Sequence, residues 1–149
     1  MLTITLPASL SNLEKILAQV SGWLESSGIP RPQTARIELA LEEALVNVCR
    51  YAYRQNPGDV EVRCRITDGR ECLIEIIDSG IPFDACAYPA PELTACITDR
   101  KVGGLGVYLM RNMADRMTYR RESEKNILSL AFQTAPDRND GTAASPQRA

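Results

Sequence analysis

The 149-residue chain contains no histidine. That absence excludes Ser-His-Asp and Cys-His catalysis, the usual histidine-bearing metal sites, and a histidine phosphoacceptor on this chain. Acid–base chemistry falls to carboxylates, Lys, Tyr or Cys. The five cysteines, Cys49, Cys64, Cys72, Cys86 and Cys96, are odd in number and form no CxxC pair. Such usage argues against structural disulfides and a zinc site and suits a reducing cytoplasm. No apolar run approaches the roughly 20 residues of a membrane helix, so no membrane partner is expected. MLTITLPASL lacks a basic n-region and a long apolar core, so no secretory leader is expected either. A net charge of −2 provides no broad basic field, and direct nucleic-acid binding is not expected. A hydrophobic fraction of 44% and a charged fraction of 24% are those of one globular domain with its own core.

What is present is clear periodicity. LTITL (2–6) alternates as a first strand. Leu13, Ile16, Leu17, Val20 and Leu24 recur at helical spacing over about 9–25, and SSGIPRP ends that helix. A second helix is expected from about 33 to 54, before the turn NPGD. DVEVRCRITD places Val60, Val62, Cys64 and Ile66 on one face and Glu61, Arg63 and Arg65 on the other. Asp68-Gly69 turns this strand into CLIEIID. Residues 79–102 lose the pattern and contain three prolines, a stretch too long for an idle connection. A third helix opens near GGLG and runs to about 115, and a hairpin around Glu122–Lys125 closes the domain. The order β-α-α-β-β-(loop)-α-β-β predicts a two-layer α/β sandwich, a mainly antiparallel sheet with helices on one face. Residues 1–133 form the expected domain. Residues 134–149, polar and poor in aromatics, form an expected disordered tail.

Three stretches carry candidate chemistry. On a wheel of about 100° per residue, Ile37, Leu41, Leu45, Val48 and Ala52 make the core stripe of the second helix. Glu43, Asn47 and Tyr51 form a separate row at i, i+4, i+8, with Arg36 on the same side and Ala40 and Ala44 between row and core. The small residues leave room for something to lie against the helix. Glu42 points roughly 100° away from Glu43. Structurally, Glu43 and Asn47 bond to each other, to a loop, or to Arg36. Functionally, Asn47 offers an oxygen to Mg²⁺ and Glu43 accepts a proton.

The second stretch is GGLG. Three glycines at a helix start disfavour helix but free backbone N–H groups for phosphate, and Arg100 and Lys101 lie just upstream. A plain loop-to-helix turn is the alternative. The spacing is neither a P-loop nor a dinucleotide-binding fingerprint. The third stretch is IEIIDSG. Asp78 is either a turn residue or a carboxylate at a pocket mouth that accepts a ligand amine, with Gly80 allowing close approach.

Together and in this order, EALVN (43–47), DSG (78–80) and GGLG (103–106) resemble the N box and two glycine boxes of the GHKL ATPases. EEALVNVCRYAY, DSGIPFD and GGLGVYLMRNMADRMTYRR further resemble the stand-alone anti-sigma-factor serine kinases, the RsbW-like proteins, over about residues 1–133. The resemblance implies a Bergerat fold and ATP and Mg²⁺ as cofactors. It implies Glu43 as general base, Asn47 as Mg²⁺ ligand, and Asp78 with Gly80 at adenine. The phosphate turn it implies runs from Arg100 and Lys101 through Gly103, Gly104, Leu105, Gly106 and Val107, with 84–102 as the ATP lid. It also implies serine phosphorylation of a STAS-domain anti-anti-sigma protein and capture of a sigma factor, and it accommodates a homodimer. A non-catalytic ATP-sensing binding module is the alternative. The sequence departs from the family at Tyr51, where many relatives carry His, at Pro82 in place of a glycine, and in lacking a Thr-Thr-Lys in the lid.

Overall fold

The computed structural model describes residues 1–68, 70–90 and 104–134. Gly69 of the expected turn, and Arg100, Lys101 and Gly103 of the phosphate turn, lie outside the described residues. So do 91–102 of the proposed lid and 135–149 of the tail. The elements are β1 (Leu2–Pro7), α1 (Leu10–Ser26), α2 (Arg31–Asn47), a π-helical turn (Val48–Ala52), β2 (Asp59–Thr67), β3 (Glu71–Asp78), α3 (Gly104–Met113), β4 (Arg116–Glu122) and β5 (Lys125–Gln133). Five antiparallel strands form one sheet in the order β1-β2-β3-β5-β4. The expected two-layer sandwich forms, with the helices on one side.

Alternation in the strands decides which side. Ile4 opposes Val62, Val62 opposes Ile76, and Ile76 opposes Leu128, so one row of apolar side chains crosses four strands. This face meets Ile16, Val20 and Leu24 of α1, Ile37, Leu41 and Leu45 of α2, and Val107 and Met110 of α3, all buried. Cys64 and Cys72 belong to the same core, where burial pushes both thiols up to about 12. The helix-free face is charged. There Arg116 pairs with Glu71 at 3.0 Å and Arg120 with Glu75 at 3.2 Å. Among the described residues no helix is long and apolar enough to cross a membrane.

Two local features position the site. The second helix does not run to 54 as a uniform α-helix, because its last five residues widen into the π-helical turn. This keeps Val48 and Ala52 in the core and leaves the Ala52 carbonyl free to accept the Ile81 N–H at 3.0 Å. The end of α2 is thereby joined to the chain leaving β3. Gly80 lies so close to Ala52 that no side chain fits between them. The second feature is the β4–β5 hairpin, whose two loop residues, Ser123 and Glu124, both have positive φ (48° and 65°). That is the conformation of a tight two-residue turn, built here without glycine.

A Cβ on Gly80 would run into the Ala52 backbone carbonyl, which has no rotamer with which to yield. Gly80→Ala is expected to lower stability by about 1–3 kcal/mol or more, the scale of overpacking. Urea unfolding measures it, and a wild-type midpoint would contradict the close approach.

Candidate functional site

Asp78 is the last residue of β3, a central strand, and is only 7% exposed. A carboxylate buried this deeply requires hydrogen bonds. Its Oδ1 accepts the Gly80 N–H and the Asn126 Nδ2–H, both at 2.8 Å. Asn126 sits directly opposite on β5. The amide of Asn126 is held from its other side, because its Oδ1 accepts the Tyr119 hydroxyl and the Arg121 guanidinium, each at 2.8 Å. Its Nδ2 also donates to the Ile81 carbonyl at 2.9 Å. Among the described residues no donor reaches Asp78 Oδ2. One oxygen is therefore fixed to the protein and the other is left to accept.

A cavity of about 260 Å³ opens beside Asp78. Asn47, Tyr51 and Ala52 line it from the end of α2. Ile76, Asp78, Tyr119, Asn126 and Leu128 line it from the sheet, and Phe83, Ala85 and Tyr88 from the segment after β3. It is mostly apolar, with Asp78, Asn126 and Asn47 as its convergent polar groups, the composition of a small-molecule site. Tyr51, Ile81 and Phe83 are exposed at its rim. The Asn47 side chain makes no hydrogen bond to any described residue, so its amide oxygen is available in the cavity.

Glu43 lies one helical turn before Asn47 and does not line this cavity. It meets the start of α3 instead. A Cβ added to Gly106 would come within 2.6 Å of Glu43 Oε2, so glycine lets α3 approach this carboxylate without the side chain having to move aside. The room beside Ala40 and Ala44 is used in the same way. Ala40 is fully buried, Ala44 lines the cavity, and α3 packs along α2. Arg36 is not the partner of Glu43. Its guanidinium donates to the Met113 carbonyl at 2.6 and 3.1 Å and pairs with Asp115 at 3.1 Å, holding the C-terminal end of α3. Glu43 makes no ion pair or hydrogen bond with the described residues. Burial, helped by the neighbouring Glu42 and opposed by Arg50, raises its carboxyl above the ordinary value.

The sequence-derived candidates thus fall into two adjoining groups. Asn47 and Asp78 converge on the cavity, and Gly80 braces Asp78 from behind. Glu43 meets Gly106 next to that cavity. Gly104 is buried against Tyr88. Leu105 is 46% exposed and Val107 is buried in the core, so any ligand contact of Val107 runs through its backbone. Phe83, Tyr119 and Tyr88, the last within the 84–102 stretch expected as the lid, were given no individual role by the sequence analysis, and Asn126 escaped it altogether. Asn126 lies in sequence 48 residues from the carboxylate it orients, and nothing local in KNILSL marks it.

A family model described as histidine kinase-like ATPase domain matches residues 6–132. The chain belongs to this family, and its RsbW-like character is borne out by the relatives. It is 30% identical over 120 residues to the serine/threonine-protein kinase BtrW of Bordetella bronchiseptica, covering 77% of this chain and 84% of that protein. It is 26% identical over 144 residues to the serine-protein kinase RsbW of Bacillus licheniformis, covering 91% and 88%. The solved RsbU and RsbW domains of a Mycobacterium tuberculosis protein share the fold, with a TM-score of 0.66 at 18% identity. That match covers 92% of this chain and 33% of the solved one.

The raised Glu43 carboxyl has a consequence for stability. Between its unfolded and folded pKa values the folded state binds more protons, so this residue costs stability as pH rises through that window. Glu43→Gln removes the cost. The variant should exceed wild type in urea midpoint at pH 7, and the gap should shrink towards pH 4. A gap that widens on acidification would show a depressed carboxyl instead.

Proposed function

We propose that the chain is an ATP- and Mg²⁺-dependent protein serine kinase of the anti-sigma, partner-switching type. It phosphorylates a serine on a STAS-domain anti-anti-sigma protein and sequesters a sigma factor, in the cytoplasm. The observation that carries this is Asp78: a buried carboxylate that lines a mostly apolar cavity, with one oxygen fixed by Asn126 and Gly80 and the other without a donor among the described residues. That arrangement suits a base bearing an exocyclic amine. Family membership and the kinase names of the relatives support the same function.

The residues present suit Mg²⁺. Asn47 offers a hard oxygen with no competing partner among the described residues, and Mg²⁺ takes one or two protein oxygens together with phosphate and water. When bound, the ion neutralises charge on the phosphates. The start of α3, Gly104 to Val107, supplies N–H groups for the phosphates, and Arg100, Lys101 and Gly103, which precede it in sequence, are assigned to the same role. Glu43 has no partner among the described residues, and its carboxyl is raised by burial, which makes it a stronger proton acceptor than an ordinary carboxylate. It takes the serine hydroxyl proton while the serine oxygen bonds to the γ-phosphorus and ADP leaves.

Glu43→Ala should bind ATP within a few-fold of wild type yet transfer phosphate at least about 100-fold more slowly, the low end of general-base contributions. Labelled ATP with candidate STAS proteins measures transfer, and a nucleotide thermal shift with Mg²⁺ measures binding. Transfer at the wild-type rate removes Glu43 as the base. Binding without transfer in the wild type makes the chain an ATP-sensing binding module. No shift at all sinks the nucleotide site.

A further inference from the structure

Arg111 lies in the last turn of α3, within the stretch GGLGVYLMRNMADRMTYRR but with no role assigned to it from the sequence. Its side chain is half-buried and points at no carboxylate within ion-pairing distance among the described residues. Instead Nη2 donates to three carbonyls of one short segment: Tyr88 at 2.8 Å, Ala85 at 3.2 Å and Cys86 at 3.3 Å. These carbonyls converge because Asp84–Tyr88 is a tight double turn. The Ala87 N–H donates to the Asp84 carbonyl and the Tyr88 N–H to the Ala85 carbonyl. The Asp84 side chain closes the near end, its Oδ1 accepting the Cys86 N–H at 2.8 Å and the Ala87 N–H at 3.3 Å. Aligned carbonyls form a negative end, and the guanidinium caps it.

The turn that Arg111 caps is one wall of the cavity. Phe83, Ala85 and Tyr88 all line it, and the Phe83 and Tyr88 rings stand 5.8 Å apart at 56°. Tyr88 also lies beside Gly104, where α3 begins. One helix therefore touches the wall at both ends: its first residue meets Tyr88, and its last turn holds the Tyr88 carbonyl. Ala85 and the partly buried Tyr88 pack against the core, while Phe83, Asp84 and Ala87 are exposed, so Arg111 is the side chain from α3 that ties this turn down by hydrogen bonds among the described residues.

We propose that Arg111 is a positioning residue for nucleotide binding, tying the aromatic wall on the base side of the cavity to the helix whose N-terminus faces the phosphates. The inference rests on the nucleotide site proposed above. Arg111 touches no ligand itself and acts through the three carbonyls. An ammonium group at this position replaces a planar donor array with a point charge, so lysine substitutes only in part.

Three proteins are compared: wild type, Arg111→Met and Arg111→Lys. Amide hydrogen exchange without ligand reads the wall directly, and binding of ATP and of inorganic tripolyphosphate separates base side from phosphate side. In Arg111→Met, amides 85–88 should exchange faster while the sheet keeps its protection. Its Kd for ATP should rise about tenfold or more, the scale of one charge-assisted hydrogen bond. Its Kd for tripolyphosphate should stay within about twofold, well below the tenfold that one such bond represents. Arg111→Lys should fall between the two in both measurements. Unchanged exchange and ATP binding in Arg111→Met overturns the inference. So does an equal loss of ATP and tripolyphosphate, which would make Arg111 a phosphate contact or a general fold residue. A wild type that binds no ATP overturns the nucleotide site, and this inference with it.

Discussion

The hydrogen bond between Asp78 and Asn126 is the constraint on which the rest of the site depends. A carboxylate at the end of a central strand cannot remain buried without donors. Asn126 supplies one only because β3 and β5 pair in the register that sets the two residues opposite each other. Its amide points the right way only because Tyr119 and Arg121 occupy its oxygen. Each member of the chain thereby orients the next, and the outcome is a carboxylate beside the cavity with one oxygen that no described residue claims. Such a network has value when every member is satisfied, and here that condition holds up to the atom proposed to meet the ligand.

The second helix shows the complementary principle, that a functional group is made available by giving its neighbours other work. Arg36 was the obvious base to neutralise Glu43, but it caps the far end of α3. Arg50 opposes the raised carboxyl without bonding to it. Glu42 points away and adds repulsion. The result is an acid that the fold accommodates at some cost to itself, a common trade at sites that must move protons. The small residues of both helices serve this end, since Gly106 allows α3 to close on Glu43 without covering it with a side chain.

Much of the architecture was legible because it rests on local periodicity. The alternation of β2 and β3 and the apolar stripe at Ile37, Leu41 and Leu45 each report which face is buried. So does the glycine cluster at the head of α3, whose two described members, Gly104 and Gly106, are both packed against neighbours. What was not legible depends on pairs distant in sequence. Asn126 acquires its meaning from Asp78, Arg111 from Tyr88, and Arg36 from Met113. The π-helical turn was hidden for a different reason: VCRYA has the apolar spacing of an α-helix, and only the contact of Ala52 with Ile81 selects the wider turn.

The β4–β5 hairpin carries a consequence beyond its own geometry. Ser123 and Glu124 hold a left-handed conformation that glycine or asparagine adopts more readily, and they begin three residues before Asn126. Side chains alternate along a strand, so a shift of one residue in the pairing of β5 would exchange the places of Asn126 and Ile127. The carboxylate of Asp78 would then face a hydrocarbon in place of the amide that holds it, and the buried side chains of β5 would change faces with it. The length of a surface turn, rather than any group inside the cavity, therefore decides which side chain stands opposite Asp78.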